Sequence, residues 1–190
     1  MTTRRAFLLG AAAFGAAPWA RADEDPWRRL RGGGLVILMR HASAGPGPVE
    51  PAGFRLGDCA TQLNLSQAGR DEARRIGAHM VAQKVPIARV YTSPWCRCRD
   101  TAILAFGKAE DWEPLSSFID HPRLGAGFTE SVRKRIGGYG RRDPGGNVVM
   151  VTHDVNIAAL TGHSIAPAEM VLVKPDGCCN ARPVERLKIA

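Results

Sequence analysis

The chain has 190 residues, 45% of them hydrophobic, and a formal net charge of +8, enough for one ordinary domain with a real core. A basic balance admits nucleic acid, an anionic membrane surface or a small anionic substrate as partner. Arginine far outnumbers lysine and no long basic run is interleaved with aromatics, which puts nucleic acid last and a small anionic substrate first.

Residues 1–22 carry the marks of an export signal. Arg4 and Arg5 precede the apolar run Ala6-Phe7-Leu8-Leu9, and Ala20-Arg21-Ala22 is a small-x-small cleavage site. Paired arginines followed by Phe and Leu resemble the twin-arginine signal of bacterial exported proteins; an ordinary secretory signal or an uncleaved anchor is the other reading. The apolar stretch is too short and too rich in Gly and Ala for a membrane span. The expectation is therefore engagement of the twin-arginine export machinery, a periplasmic or secreted location, and no stable membrane insertion after cleavage. Cleavage would remove Arg4, Arg5 and Arg21 and no acid, lowering the formal charge to +5. Residues 23–190 hold no repeat or linker and are expected to form a single domain.

After a charged lead-in at 23–31, residues 35–39 are five consecutive apolar residues that stop at Arg40-His41, the profile of a short strand buried on both faces. Residues 42–64 contain four glycines at 45, 47, 53 and 57 and three prolines at 46, 48 and 51, with no period of either kind. A loop this long that leaves directly from Arg40-His41 is expected to be functional. Ser66 suits an N-cap, and the spacing of Ala73, Ile76, Gly77, Met80 and Val81 predicts an amphipathic helix over 67–83, ended by Pro86. His79 lies off that stripe and reads as a solvated surface residue.

Residues 88–92 form the next predicted strand, and Ser93-Pro94 opens a helix with Pro94 at its first position and Trp95, Cys98, Ala102, Ile103 and Phe106 on its buried side. Arg97 then stands in the first turn of a helix that starts at a strand's carboxyl end, an anion-binding location; Arg99 points elsewhere and reads as a surface charge. Residues 108–127 are irregular, with a short strand near Leu115 and a turn at His121-Pro122, followed by a weaker helix at 128–136. A turn at 143–147 starts a second buried run, Val148-Val149-Met150-Val151-Thr152, that ends at His153. Residues 154–160 open another helix closed by Gly162, and 170–173 and 182–189 pair across Pro175-Asp176-Gly177. His121 and His163 have no partner in sequence and no assigned role.

Five cysteines in an exported chain permit disulfides and leave one over. None has the paired spacing of a structural zinc site. Cys59 ends the loop that leaves the first strand and Cys96 begins the helix beside it, so the two are expected to join, with Cys98 as the alternative partner.

In α/β sheets ligands bind at the carboxyl ends of strands. Those ends present Arg40, His41, Arg97 and His153, a set of cations and imidazoles that suits an oxyanion such as phosphate better than a divalent metal. Guanidinium forks match phosphate oxygens two at a time. One imidazole can attack phosphorus if its other nitrogen donates to a backbone carbonyl.

The motifs Leu38-Met39-Arg40-His41-Ala42, Leu65-Ser66 with Gly69 and Ala73, Ser93-Pro94-Trp95-Cys96-Arg97 with Thr101-Ala102, and Val151-Thr152-His153 with Leu160-Thr161-Gly162 together resemble the histidine phosphatase superfamily, also called phosphoglycerate mutase-like. The resemblance implies a three-layer α/β/α sandwich with a mostly parallel central sheet. It also implies a phosphohistidine intermediate on His41, a phosphate pocket of Arg40, Arg97 and His153, and neither metal nor organic cofactor. Ser43 either donates to phosphate or shapes the loop. The proton donor is Asp154 if the His153-Asp154 pair follows the family's acid phosphatase branch; Glu113, Glu130 and Glu169 are the alternatives. The implied activity is hydrolysis of a small phosphomonoester, with a mutase of the same fold and a non-catalytic phosphate-binding module as competing readings.

Overall fold

The computed structural model describes residues 25–47, 50–139, 145–177 and 181–189. The export signal expected at 1–22, part of the 143–147 turn, and Cys178 and Cys179 lie outside the described residues. In chain order the elements are α1 (Pro26–Gly32), β1 (Val36–Arg40), α2 (Gln67–Ala82), β2 (Ile87–Thr92), α3 (Cys96–Phe106), β3 (Glu110–Asp111), α4 (Pro122–Gly138), β4 (Asn147–Thr152), α5 (Asp154–Thr161), β5 (Met170–Pro175) and β6 (Ala181–Leu187), with short 3-10 turns at Cys59–Thr61 and Glu113–Leu115.

The six strands make one sheet in the order β3-β2-β4-β1-β5-β6. Strands β3, β2, β4 and β1 run parallel, while β5 and β6 form an antiparallel pair on the β1 side. Side chains alternate between the two faces, as the strand period of two requires. Ile37, Met39, Val149, Val151, Met170 and Leu172 pack with Ala73, Ile76 and Met80 of α2 and Cys98 and Ala102 of α3. Val36, Leu38, Val148, Met150, Val171 and Val173 pack on the other face with Val132 and Ile136 of α4 and Ile157 and Leu160 of α5. Helices on both faces explain the unbroken apolar runs of β1 and β4, and together with the sheet they make a three-layer α/β/α sandwich.

Two glycines let α2 approach its neighbours. A Cβ on Gly69 would sit 1.9 Å from the carbonyl oxygen of Ser43, and one on Gly77 would sit 2.1 Å from that of Ala105. Backbone cannot yield at such distances, so α2 presses directly on α3 and on the loop after β1. Ser66 caps α2 by accepting from Gly69 N–H at 3.0 Å.

Five local expectations change. The charged lead-in is a short helix capped by Asp25, with Leu30 fully buried; the carbonyl of Leu30 is held by buried Asn147, whose Nδ2 donates to it at 2.7 Å. Helix α3 begins at Cys96, leaving Pro94 outside it, ahead of the extended Trp95 N-cap, and Ile103 is exposed. Helix α4 starts at Pro122, six residues before the expected start at 128. Its first turns lack an apolar period, and packing of Gly125 against the Phe118 ring sets their place. The short strand lies at Glu110–Asp111, alongside β2, while Leu115 ends a 3-10 turn. His79 is half-buried, its ring 4.6 Å from that of Trp27.

Candidate active site

Pairing of β1 with β4 sets Arg40 beside Thr152, so His41 and His153 leave the sheet at one level. His41 N–H donates to Thr152 O at 2.9 Å, and Ser93 N–H, just past β2, donates to Val151 O at 2.9 Å. Three adjacent parallel strands thus deliver His41, His153 and the start of α3 to one end of the sheet. A cleft of about 860 Å³ opens there, lined by Arg40, His41, Arg97 and His153 among others.

The two imidazoles are 5.4 Å apart between ring centroids and lie edge to face. His41 Nδ1 is 2.9 Å from the carbonyl of Ala42, and Arg97 Nε–H donates to His41 Nε2 at 3.2 Å. A donor facing Nε2 and an acceptor facing Nδ1 together fix the tautomer: the proton is on Nδ1 and the lone pair on Nε2. The same logic orients His153, whose Nδ1 lies 3.3 Å from Arg97 Nη2 and whose Nε2 lies 3.0 Å from Ser93 Oγ. Burial, reinforced by the Arg97 charge, pulls His41 down from its ordinary 6.5 to about 4. Burial first and Arg97 second hold His153 well below its ordinary value. Both rings are neutral near pH 7, and neutral Nε2 of His41 is a competent nucleophile.

Arg97 is the hub. It is 8% exposed, stacks 4.7 Å over the Trp95 ring, and reaches both histidines. Arg40 Nη1 donates to Ile165 O at 2.7 Å, and its buried Nε has no partner, which leaves a donor for an oxyanion. Cys98 lies behind the site, with Sγ 3.5 Å from His153 Nε2. Burial pushes its thiol up to about 12, so it is an inert packing group.

The loop over 42–64 is fastened to the start of α3. Cys59 and Cys96 form the expected disulfide. Gln62 Oε1 accepts from Cys96 N–H at 3.0 Å, satisfying one of the helix's first free donors. Glu50 pairs with Arg97 Nη1, both side chains being about nine-tenths buried. Phe54 and Trp95 stack with ring centroids 5.0 Å apart.

Of the residues singled out in sequence, His41, His153, Arg40 and Arg97 come together. Ser43 does not join them, correcting its reading as a phosphate ligand: its Oγ and N–H both donate to Glu72 at 3.0 Å, so it ties the loop to α2. Asp154 lines the cleft, but its Oδ1 accepts from Ile165 N–H at 2.7 Å and its Oδ2 from the Ser164 hydroxyl. Glu113 and Glu130 are exposed, Glu130 paired with Lys134, and Glu169 is bound by Ala166 N–H and Arg186; none of the three lines the cleft. Arg99 pairs with Asp111 at the surface, as expected. Sequence reasoning missed Glu50, Gln62 and Asp120. Glu50 and Asp120 line the cleft, and the only signal for Glu50 and Gln62 was the length and origin of their loop.

The family model described as histidine phosphatase superfamily (branch 1) matches residues 36–121. No curated protein matches the sequence. Among solved structures, the chain is similar to the protein histidine phosphatase SixA complexed with tungstate, at 20% identity and a TM-score of 0.53 over 81% of this chain and 96% of that one. It is similar to phosphoglycerate mutase from Thermus thermophilus, at 18% identity and a TM-score of 0.56 over 82% and 99%. A phosphoserine phosphatase mutant from Entamoeba histolytica in complex with phosphoserine gives 13% identity and a TM-score of 0.53 over 80% and 95%. At these identities the likeness is one of fold. The family match over residues 36–121 and the six-stranded α/β/α sandwich agree on a phosphoglycerate mutase-like fold.

Proposed function

We propose that the protein is an exported phosphomonoesterase that hydrolyses a small phosphorylated substrate through a phosphohistidine on His41. The observation that carries this reading is the tautomer of His41: with Nδ1–H held by its own chain at Ala42 O, the Nε2 lone pair faces Arg97 and His153. In the first step Nε2 attacks phosphorus, the ester P–O bond breaks, and a carboxylic acid of the cleft protonates the leaving oxygen. Arg97, Arg40 and His153 meet the charge spread over the phosphoryl oxygens. In the second step water attacks the phosphohistidine, its proton passes to the same carboxylate, and phosphate leaves. Tungstate, an oxyanion, accompanies the SixA structure of the same fold, which agrees with an oxyanion pocket here. The Cys59–Cys96 disulfide supports an oxidising, extracytoplasmic setting.

The test is a turnover screen of the protein against a panel of alkyl and aryl phosphomonoesters, with trapping of the intermediate. An acid-labile, alkali-stable phosphoenzyme is expected in wild type and not in His41→Ala, which should lose on the order of 10⁶-fold in rate, the scale of removing a covalent nucleophile. Near-normal turnover in that variant would end the reading.

A further inference from the structure

We infer that Glu50 takes up a proton when an oxyanion binds and is the proton donor to the leaving group; the second half rests on the phosphatase reading above. Every nitrogen of the Arg97 guanidinium faces a base: Nε meets His41 Nε2 at 3.2 Å, Nη2 meets His153 Nδ1 at 3.3 Å, and Nη1 meets Glu50 Oε1. The other carboxylate oxygen, Oε2, accepts from Leu63 N–H at 2.8 Å. Glu50 thus occupies one arm of the fork that a phosphoryl group must use, at the rim of the same cleft.

Charge balance in the cleft sets the protonation state of Glu50. The groups gathered around it are Arg97 from α3, Arg40 and His41 from the end of β1, His153 and Asp154 from the β4–α5 junction, and Asp120 from the segment before α4. The imidazoles are neutral, Asp154 is committed to Ser164 and Ile165, and Asp120 is exposed. Two guanidiniums therefore balance a phosphoryl dianion; the Asp154 charge, which is felt at His41, already adds to the negative side, and an ionised Glu50, about nine-tenths buried, adds a further negative charge in excess. A carboxylate set beside a dianion is driven to bind a proton, and a protonated Glu50 removes one of the excess negative charges next to the bond that breaks. Its proton goes to the leaving oxygen as the P–O bond opens, and the carboxylate regains one from the water that attacks the phosphohistidine. Asp154 could serve only by releasing Ser164 and Ile165, whereas Glu50 loses only the partner that the phosphoryl group itself recruits.

Sulfate is a suitable probe, since it remains a dianion across the range needed. Sulfate affinity, measured by calorimetry from pH 5 to 8, should fall in wild type by up to tenfold per pH unit more steeply than in Glu50→Gln. At pH 7.5 the variant should bind sulfate at least tenfold more tightly. Glu50→Ala is a second neutral variant that must flatten the slope in the same way, and Glu50→Asp must keep the wild-type slope. Parallel curves would overturn the linkage, and so would weaker binding in both neutral variants at every pH, which would make Glu50 only a strut for Arg97. For the donor role, Glu50→Gln should lose about 10²–10⁴-fold on an alkyl phosphate, yet form the phosphoenzyme from an activated aryl phosphate within about tenfold of wild type. Equal losses on both substrates, or this pattern in Asp154→Asn instead, would overturn the donor role and leave the phosphatase reading standing. No phosphoenzyme in wild type would end both, while the sulfate curves would still decide the proton linkage.

Discussion

The two sides of the cleft are built in different ways. One side, His41, His153 and Arg40, hangs from the ends of neighbouring parallel strands, so sheet register and backbone hydrogen bonds position it. The other, the described part of residues 42–64, carries one short 3-10 turn and isolated bridges at Ala44 and at Arg55 and is held to α3 by a disulfide, a glutamine, an ion pair and an aromatic stack. Arg97 belongs to both, since it is the residue on which the sheet-built histidines and the loop-borne glutamate converge. The contrast separates rigid chemistry from adjustable recognition: the nucleophile cannot shift without the sheet, whereas the wall opposite can change with its side-chain ties.

After loss of the nucleophile itself, a large effect is expected at the shared residue. Arg97→Ala should cost about 10²–10³-fold in phosphoenzyme formation, as expected for loss of a charge-stabilising donor, and Arg97→Lys should not restore it because a lysine lacks the fork that reaches both histidines. Stopped-flow measurement with an aryl phosphate decides it; a lysine variant at wild-type rate would show that charge alone is needed.

The loop should answer to reductant. Removing the Cys59–Cys96 bond in the Cys59→Ser, Cys96→Ser double variant should destabilise the fold by about 2–4 kcal/mol, while phosphoenzyme formation from an aryl phosphate stays within about tenfold. Thermal melting with and without reductant, beside single-turnover rates, checks both halves. A collapse in rate larger than the Arg97→Ala loss would mean that the disulfide, not the sheet, positions the nucleophile.

The sheet-built side should answer to acid. His41 is held neutral to about 4 by burial and by Arg97, against 6.5 in the unfolded chain. Below pH 6.5 the unfolded chain therefore binds a proton that the folded chain refuses, and stability falls as pH drops from 6.5 toward 4. At about 1.4 kcal/mol per pH unit the loss is roughly 3 kcal/mol from this residue, and His153 adds in the same direction. Denaturant titrations at pH 7 and pH 4.5 measure it, and His41→Gln should remove part of the difference; an unchanged pH dependence in that variant would refute the assignment.

The smallest effect lies at the boundary between the two sides. Ser43 donates twice to Glu72 rather than facing the cleft. Ser43→Ala removes one of those bonds and should cost about 0.5–1.5 kcal/mol of stability with KM for an aryl phosphate unchanged. A tenfold rise in KM would return Ser43 to the phosphate pocket.

Whatever depends on local pattern was legible in the amino-acid sequence alone. Apolar runs that end in Arg40-His41 and in His153 mark strands buried on both faces, whose carboxyl ends meet once the two strands pair in register. The first turn of α3, and hence Arg97, is legible from the strand-to-helix transition in the same way, and the family motifs agree with all four residues. The pairing of Cys59 with Cys96 reflects where two neighbouring elements begin and end. Tertiary structure decided the rest. Glu50 lies in a stretch of glycines and prolines with no period, and its place beside Arg97 depends on the path of a loop fastened by Cys59, Gln62 and Phe54. Asp154 comes directly after His153 in sequence, but the backbone of Ile165 and the hydroxyl of Ser164 decide which way its carboxylate is held. The first turns of α4 pack Gly125 against the Phe118 ring, where a side chain would crowd it. Each of these depends on a contact between groups that are not neighbours in the chain, and its geometry exists only once the sheet and its helices have packed.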